Sequence, residues 1–146
     1  MLLASASGQA SLGGLTPPAK ALVLASLAHA VRRPFIVLTG DNAAADRLAK
    51  AAAEALRWLE PGDASRVGVL PAVDSTPYEG RSPHAEIAER RAVALLNLAR
   101  GTTRLLFAPL PAALGRFRDN SYYSSLLLDL EGGEEVLLQD LTEHLE

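Results

Sequence analysis

Three groups of residues in this 146-residue chain have types and spacings that suit chemistry. The first is Gly14-Leu-Thr-Pro-Pro-Ala-Lys20-Ala21, which falls where a phosphate-binding loop would stand, just ahead of a helical pattern. A working loop reads Gly-x-x-x-x-Gly-Lys-Ser/Thr: the glycines let backbone amides close on the phosphates and the hydroxyl holds magnesium. Here Ala19 replaces the second glycine, Ala21 replaces the hydroxyl residue, and Pro17 and Pro18 remove two amide donors. These residues favour a degenerate loop with Lys20 as a solvated first-turn lysine over a lysine that still grips a phosphate. The second group is His84, Glu86 and Glu89. His84 and Glu86 lie two apart and share no helical face, so general acid–base work and metal ligation have little footing. The third is the arginine cluster Arg81, Arg90 and Arg91. Its plain reading is structural, with Arg90 paired to Glu86 and one arginine reaching back to the preceding loop, rather than phosphate contact.

Composition narrows the field further. The net charge is −3 and the pI about 5.6, without the basic excess of a domain that binds nucleic acid by itself. With no cysteine in the chain, disulfides and thiolate metal sites are excluded. No Gly-x-Ser-x-Gly or His-Glu-x-x-His pattern occurs, so nucleophilic and zinc chemistry lack support. The N-terminal residues lack the positive start of a signal peptide, and no apolar run reaches the ~18 residues of a membrane span. The expectation is a cytoplasmic protein with no membrane partner, no metal, no catalytic residue and no cofactor of its own.

The elements that must position these groups follow from periodicity. Thr16 precedes Pro17-Pro18 as a helix start, apolar residues recur at helical spacing to Val31, and Pro34 stops the helix. Phe35–Thr39 is a continuous apolar run, the pattern of a strand buried on both faces of a parallel sheet. Gly40-Asp41-Asn42 turns the chain into an alanine-rich helix over Ala43–Leu59. A second strand is expected at Val67–Leu70 and a third at Leu105–Ala108. Between them, Ser82 caps and Pro83 opens a helix that ends at Arg100-Gly101. Strand and helix alternate, which predicts an α/β fold: a three-layer parallel sheet flanked by helices. The texture changes at Asp119. Tyr122–Leu130 and Glu134–Leu138 read as strands of a hairpin, with Asp140 capping a last short helix. The chain therefore divides into residues 1–118, an α/β domain, and residues 119–146, the incomplete beginning of a small α+β domain.

One segment is more specific than this outline. Pro71-Ala-Val-Asp-Ser-Thr-Pro-Tyr-Glu-Gly-Arg-Ser-Pro-His84 holds three internal or terminal prolines and a tyrosine, more than a plain connector needs. It resembles the Pro-x-Trp-Glu-Thr-Leu-Pro-Tyr-Asp-x-x-Ser-Pro-His segment in the N-terminal module of the bacterial transcription-repair coupling factors. That module is itself similar to the first domain of the excision-repair protein UvrB, domain 1a, a P-loop fold of the RecA-like kind. The signature positions are Pro71, Asp74, Pro77, Tyr78, Ser82, Pro83 and His84. In the helix that follows, Glu86, Ile87 and Arg91 match a Glu-Ile-x-x-x-Arg pattern. The resemblance implies that these residues are architectural, with Tyr78 a core plug. It also implies that Gly14, Ala19, Lys20 and Ala21 are a decayed phosphate loop. Val73 departs from the pattern, standing where the family has tryptophan, and UvrB's long tyrosine-rich hairpin has no counterpart here. What the resemblance implies is a non-catalytic interaction or regulatory module of a protein that displaces stalled RNA polymerase and recruits UvrA in nucleotide excision repair. ATP and magnesium then belong to a downstream motor, as do the contacts with RNA polymerase and DNA. Partners of this region would be UvrA and other domains of the same protein, with self-association through the leucines of the 119–146 segment. A nucleotide-binding α/β domain of unknown substrate is the alternative.

Overall fold

The computed structural model describes residues 11–31, 33–61, 66–73 and 84–125, together with residues 133, 137, 139 and 142. Helix α1 (Pro17–Val31) opens on a proline, whose missing N–H is no loss in a first turn. The Lys20 amide makes the first helical bond, donating to the Thr16 carbonyl at 2.9 Å. Strand β1 (Phe35–Thr39) follows Pro34, and Asp41 then starts helix α2 (Asn42–Leu59). Asp41 is extended, and its Oδ1 accepts from the Ala44 amide at 2.6 Å, the usual way an N-cap satisfies a free donor. Strand β2 (Val67–Val69), helix α3 (Ala85–Ala99), strand β3 (Leu105–Pro109) and the short helices α4 (Leu110–Ala113) and α5 (Asn120–Ser125) complete the order. Gly101 closes α3 at φ 69°, a left-handed position that glycine takes without the penalty of a Cβ.

The three strands are parallel, in the order β1-β3-β2. Phe107 in the central strand lies opposite both Val37 and Val69. Alternation sorts the side chains onto two faces. Leu105 and Phe107 meet α1 and α2 through Ala21, Ala28, Ala45, Ala49 and Ala52. Leu106 and Ala108 face the other way, toward Ala94 of α3 and Ala112 of α4. This is the α/β arrangement expected, a small parallel sheet between helices.

Three local expectations are corrected. β1 is not buried on both faces: it is an edge strand, and Ile36 and Leu38 stand 62% and 56% exposed on the α3 side. The reason is that α3 packs against β2, whereas β1 meets only the short α4 beyond the sheet and the helices of the other face. The strand expected from Tyr122 begins instead as α5, because Asp119 accepts from the Tyr122 amide at 3.0 Å and from the Ser121 hydroxyl at 2.9 Å. That is an N-cap, and it commits the backbone to a helical turn. Finally, α3 begins at Ala85 rather than at Pro83, since His84 is extended at φ −57°, ψ 132°. Asp74, Pro77, Tyr78, Arg81, Ser82 and Pro83 lie outside the described residues, as do the rest of the expected 122–130 strand and nearly all of the second strand at 134–138.

Candidate functional site at the carboxyl edge of the sheet

In open α/β sheets ligands bind beyond the carboxyl ends of the strands. Here that edge is formed by Thr39-Gly40-Asp41 after β1, Leu70–Val73 after β2, and Pro109 at the end of β3. The segment after β2 is fixed from three sides. The Leu70 amide donates to the Phe107 carbonyl at 2.9 Å, prolonging the ladder by one bond. Asn42, in the first turn of α2, donates Nδ2 to the Ala72 carbonyl at 3.2 Å and accepts the Ala72 amide on Oδ1 at 2.8 Å. Arg91 of α3 donates from its guanidinium to the Pro71 carbonyl at 2.6 Å. Pro71 itself is fully buried. Above this clamp Arg90 pairs with Asp46 of α2, tying the two helices together across the edge.

The expected arginine arrangement is met in one half and changed in the other. An arginine does reach back to the preceding loop, and it is Arg91. Arg90, however, turns to Asp46 instead of to Glu86. Both are structural uses of charge. Asn42 and Asp46 were invisible to spacing rules, because each acts on a residue that is distant in sequence. Glu86, Glu89 and His84 are exposed around the start of α3. The His84 carbonyl receives the Ile87 and Ala88 amides, at 2.9 and 3.1 Å. Among the described residues no group of three or more His, Cys, Asp or Glu side chains is close enough to hold a metal ion.

Of the residues that the sequence compares with a phosphate loop, Ala19, Lys20 and Ala21 lie on α1 and Gly14 precedes it. Gly14 adopts φ 72° ahead of the helix. Ala21 is 1% exposed and packs in the core between α1 and α2. The position where a working loop carries its magnesium-binding hydroxyl is therefore a contact between helices. Ala19 is half-buried and Lys20 is exposed. Lys20 and Arg47 flank a groove of about 760 Å³ that runs from Pro17 past Thr39 and Gly40 between α1 and α2. Its floor is apolar, with Leu24, Val37 and Leu48.

The opposite, amino edge carries the other charge network. Glu60 caps the end of α2, accepting from His29 at 2.8 Å on Oε1 and from Arg66 at 2.6 Å on Oε2. The His29 hydrogen bond is the largest influence holding the Glu60 carboxyl below its ordinary 4.5. The positive charges of Arg66 and Arg104 add to it, against some desolvation. The Arg104 amide in turn donates to the Arg66 carbonyl at 2.7 Å, so this network ties the starts of β2 and β3 to the ends of α1 and α2.

Together these features define an α/β domain whose carboxyl edge is braced by its own side chains. Over 135 residues the chain is 26% identical to the transcription-repair-coupling factor of Haemophilus influenzae (strain ATCC 51907 / DSM 11121 / KW20 / Rd), covering 92% of this chain. The chain spans 11% of the length of that relative. This likeness supports a relation between the chain and the transcription-repair coupling factors. No family model matches the chain, and no solved structure does. No helix among the described residues is long and apolar enough to cross a membrane.

Proposed function

We propose that this chain is a non-catalytic interaction and regulatory module of a transcription-repair coupling protein, built on a UvrB-like α/β domain whose phosphate loop has decayed. One observation carries the non-catalytic half of this reading. Ala21 occupies the magnesium-hydroxyl position and is buried against α2, while Pro17 and Pro18 stand where amide donors are needed. The polar groups at the carboxyl edge support it further, because Asp41, Asn42 and Arg91 spend their hydrogen bonds on backbone groups of the domain itself. The likeness to the coupling factor supports the repair role. In this reading UvrA and neighbouring domains of the same protein are the partners. RNA polymerase, DNA, ATP and magnesium are handled by other parts of that longer protein, and the protein works in the cytoplasm. Residues 119–146 then belong to the start of a second domain. A pull-down with purified UvrA tests the partner. Capture by a version extended by roughly 80 residues, about one small domain, with weak or no capture by the present chain, is the expected result.

One observation favours the second reading, a nucleotide-binding domain. Lys20 and Arg47 share the rim of the 760 Å³ groove beside Gly40. Calorimetric titration with Mg-ATP separates the two. No heat up to millimolar nucleotide is expected, and a micromolar dissociation constant abolished by Lys20→Ala would establish the nucleotide reading instead.

A further inference from the structure

The open half of the sheet continues into a groove of about 460 Å³ between β1, the end of α3 and α5. Ile36, Leu98, Leu106 and Phe117 form its walls. Its polar lining is confined to Arg118, Asn120 and Tyr123, and the Tyr123 hydroxyl already accepts from the Arg118 amide at 3.3 Å. Small-molecule sites carry a few convergent polar groups that fix orientation. Here the three polar residues lie together in one stretch, 118–123, and the rest of the lining is apolar, a character that a leucine-rich protein segment can match. Charge identifies the occupant. Arg118 is the one charged residue that lines the groove. Asp119 is the carboxylate nearest in sequence, and it is engaged by Tyr122 and Ser121. The groove's one lining charge is thus positive in a chain of net charge −3. Residues 126–146 have the complementary composition: leucine-rich, with carboxylates at Asp129, Glu131, Glu134, Glu135, Asp140, Glu143 and Glu146 and no lysine or arginine. Leu137 in this segment is 72% exposed, so it is not seated on its own groove.

We propose that the groove receives the acidic, leucine-rich 126–146 segment of a second copy of this chain. Exchange of the two segments gives a closed two-fold dimer, in which the same two patches are used twice. Burial of Leu137 beside Ile36 supplies the apolar part. Arg118 selects the acidic segment and makes the association salt-sensitive. The proposal is independent of the UvrA reading.

Sedimentation velocity on the full chain, from micromolar to about 1 mM protein and at low and high salt, tests it; the 1 mM ceiling corresponds to a binding free energy of about −4 kcal/mol. A concentration-dependent dimer that weakens at high salt is expected. Ile36→Asp, Leu137→Asp and the exposed charge reversal Arg118→Glu should each raise the dimer dissociation constant about tenfold or more. Leu22→Asp on α1, away from the groove, should leave it unchanged. Circular dichroism on each variant confirms the fold, and Arg118→Glu keeps the test decisive if Ile36→Asp unfolds. A monomer throughout the range overturns the proposal. So does a dimer indifferent to Arg118→Glu, or one that Leu137→Asp leaves intact.

Discussion

Asn42 holds Ala72 by both of its backbone groups, one side-chain amide standing in for a neighbouring strand. Its Oδ1 takes the Ala72 amide at 2.8 Å and its Nδ2 gives to the Ala72 carbonyl at 3.2 Å. With Arg91 on the Pro71 carbonyl, the first two residues of the segment that resembles the coupling factors are fixed as the chain leaves β2.

The clamp makes a quantitative prediction. Asn42→Ala strips two partly buried backbone groups of their partner, and should destabilise the domain by about 1–3 kcal/mol. Arg91→Met removes one charge-assisted bond while keeping most of the apolar stem, at a cost of about 1–3 kcal/mol. Because both residues brace adjacent positions, the double variant should depart from additivity by roughly 0.5 kcal/mol or more. Urea denaturation of the four proteins measures this. Strict additivity would mean that the two contacts act independently.

Acid stability should depend on Glu60. Its carboxyl is held below the ordinary 4.5 in the folded protein, chiefly by the His29 hydrogen bond. A depressed carboxyl stabilises the fold at pH values above 4.5, and that contribution is lost as pH falls through the folded-state value. Glu60→Gln cannot titrate. The variant should be less stable than the parent at neutral pH and should converge on it below pH 4.5. Thermal melts from pH 3 to 7 check the crossing. A constant gap between the two proteins across that range would remove Glu60 from the acid response.

The alternation of elements was legible because it rests on local rules. Pro17, Pro34, Asp41 and Gly101 each act on the residues beside them, and the three strands and long helices fall where those signals place them. The α/β class follows from the same pattern. Whatever depends on partners distant in sequence was not legible. Phe35–Thr39 reads as an interior strand because all its side chains are apolar or β-branched, yet only the fold reveals that α3 packs against β2 and leaves Ile36 and Leu38 open. Arg90 has Glu86 one turn before it, and nothing local shows that Asp46 of α2 is the better-placed partner. Tyr122–Leu130 has strand-like composition, but Asp119 was the signal to weigh: a capping residue three positions before an exposed tyrosine starts a helix. Of the site itself, an arginine reaching back to the proline-rich segment could be read from the cluster, but not that it is Arg91, and Asn42 could not be read at all.

The cap of α2 should be separable from the clamp. Asp41 satisfies the Ala44 amide at 2.6 Å and lies next to Asn42. Asp41→Ala should cost about 1 kcal/mol, and Asp41→Ser much less, since a hydroxyl caps nearly as well. If Asp41→Ser were as damaging as Asp41→Ala, the carboxylate charge rather than the capping bond would be what matters. Chemical denaturation distinguishes the two.

The last prediction concerns how the two helices on one face approach each other. Ala21 and Ala28 of α1 meet Ala45, Ala49 and Ala52 of α2 over Phe107, and Ala52 is fully buried. Five small side chains at one contact let the helix backbones come close, with Leu24 and Leu48 packed beside them. Such an interface has no room to grow. Ala52→Leu adds three carbons where no space exists, and should destabilise by about 1–3 kcal/mol through displaced helices, although leucine is nearly as good a helix former as alanine. Ala52→Gly removes only a methyl, but adds the backbone entropy cost of about 1 kcal/mol for a glycine inside a helix. Both variants therefore lose stability, for opposite reasons, and a third separates them. Ala43→Leu, on the exposed side of the same helix, should change stability by less than about 0.5 kcal/mol. Guanidinium unfolding of the three proteins gives the comparison. A neutral Ala52→Leu would show that α1 and α2 can move apart, and that close contact of small residues is not what sets their spacing.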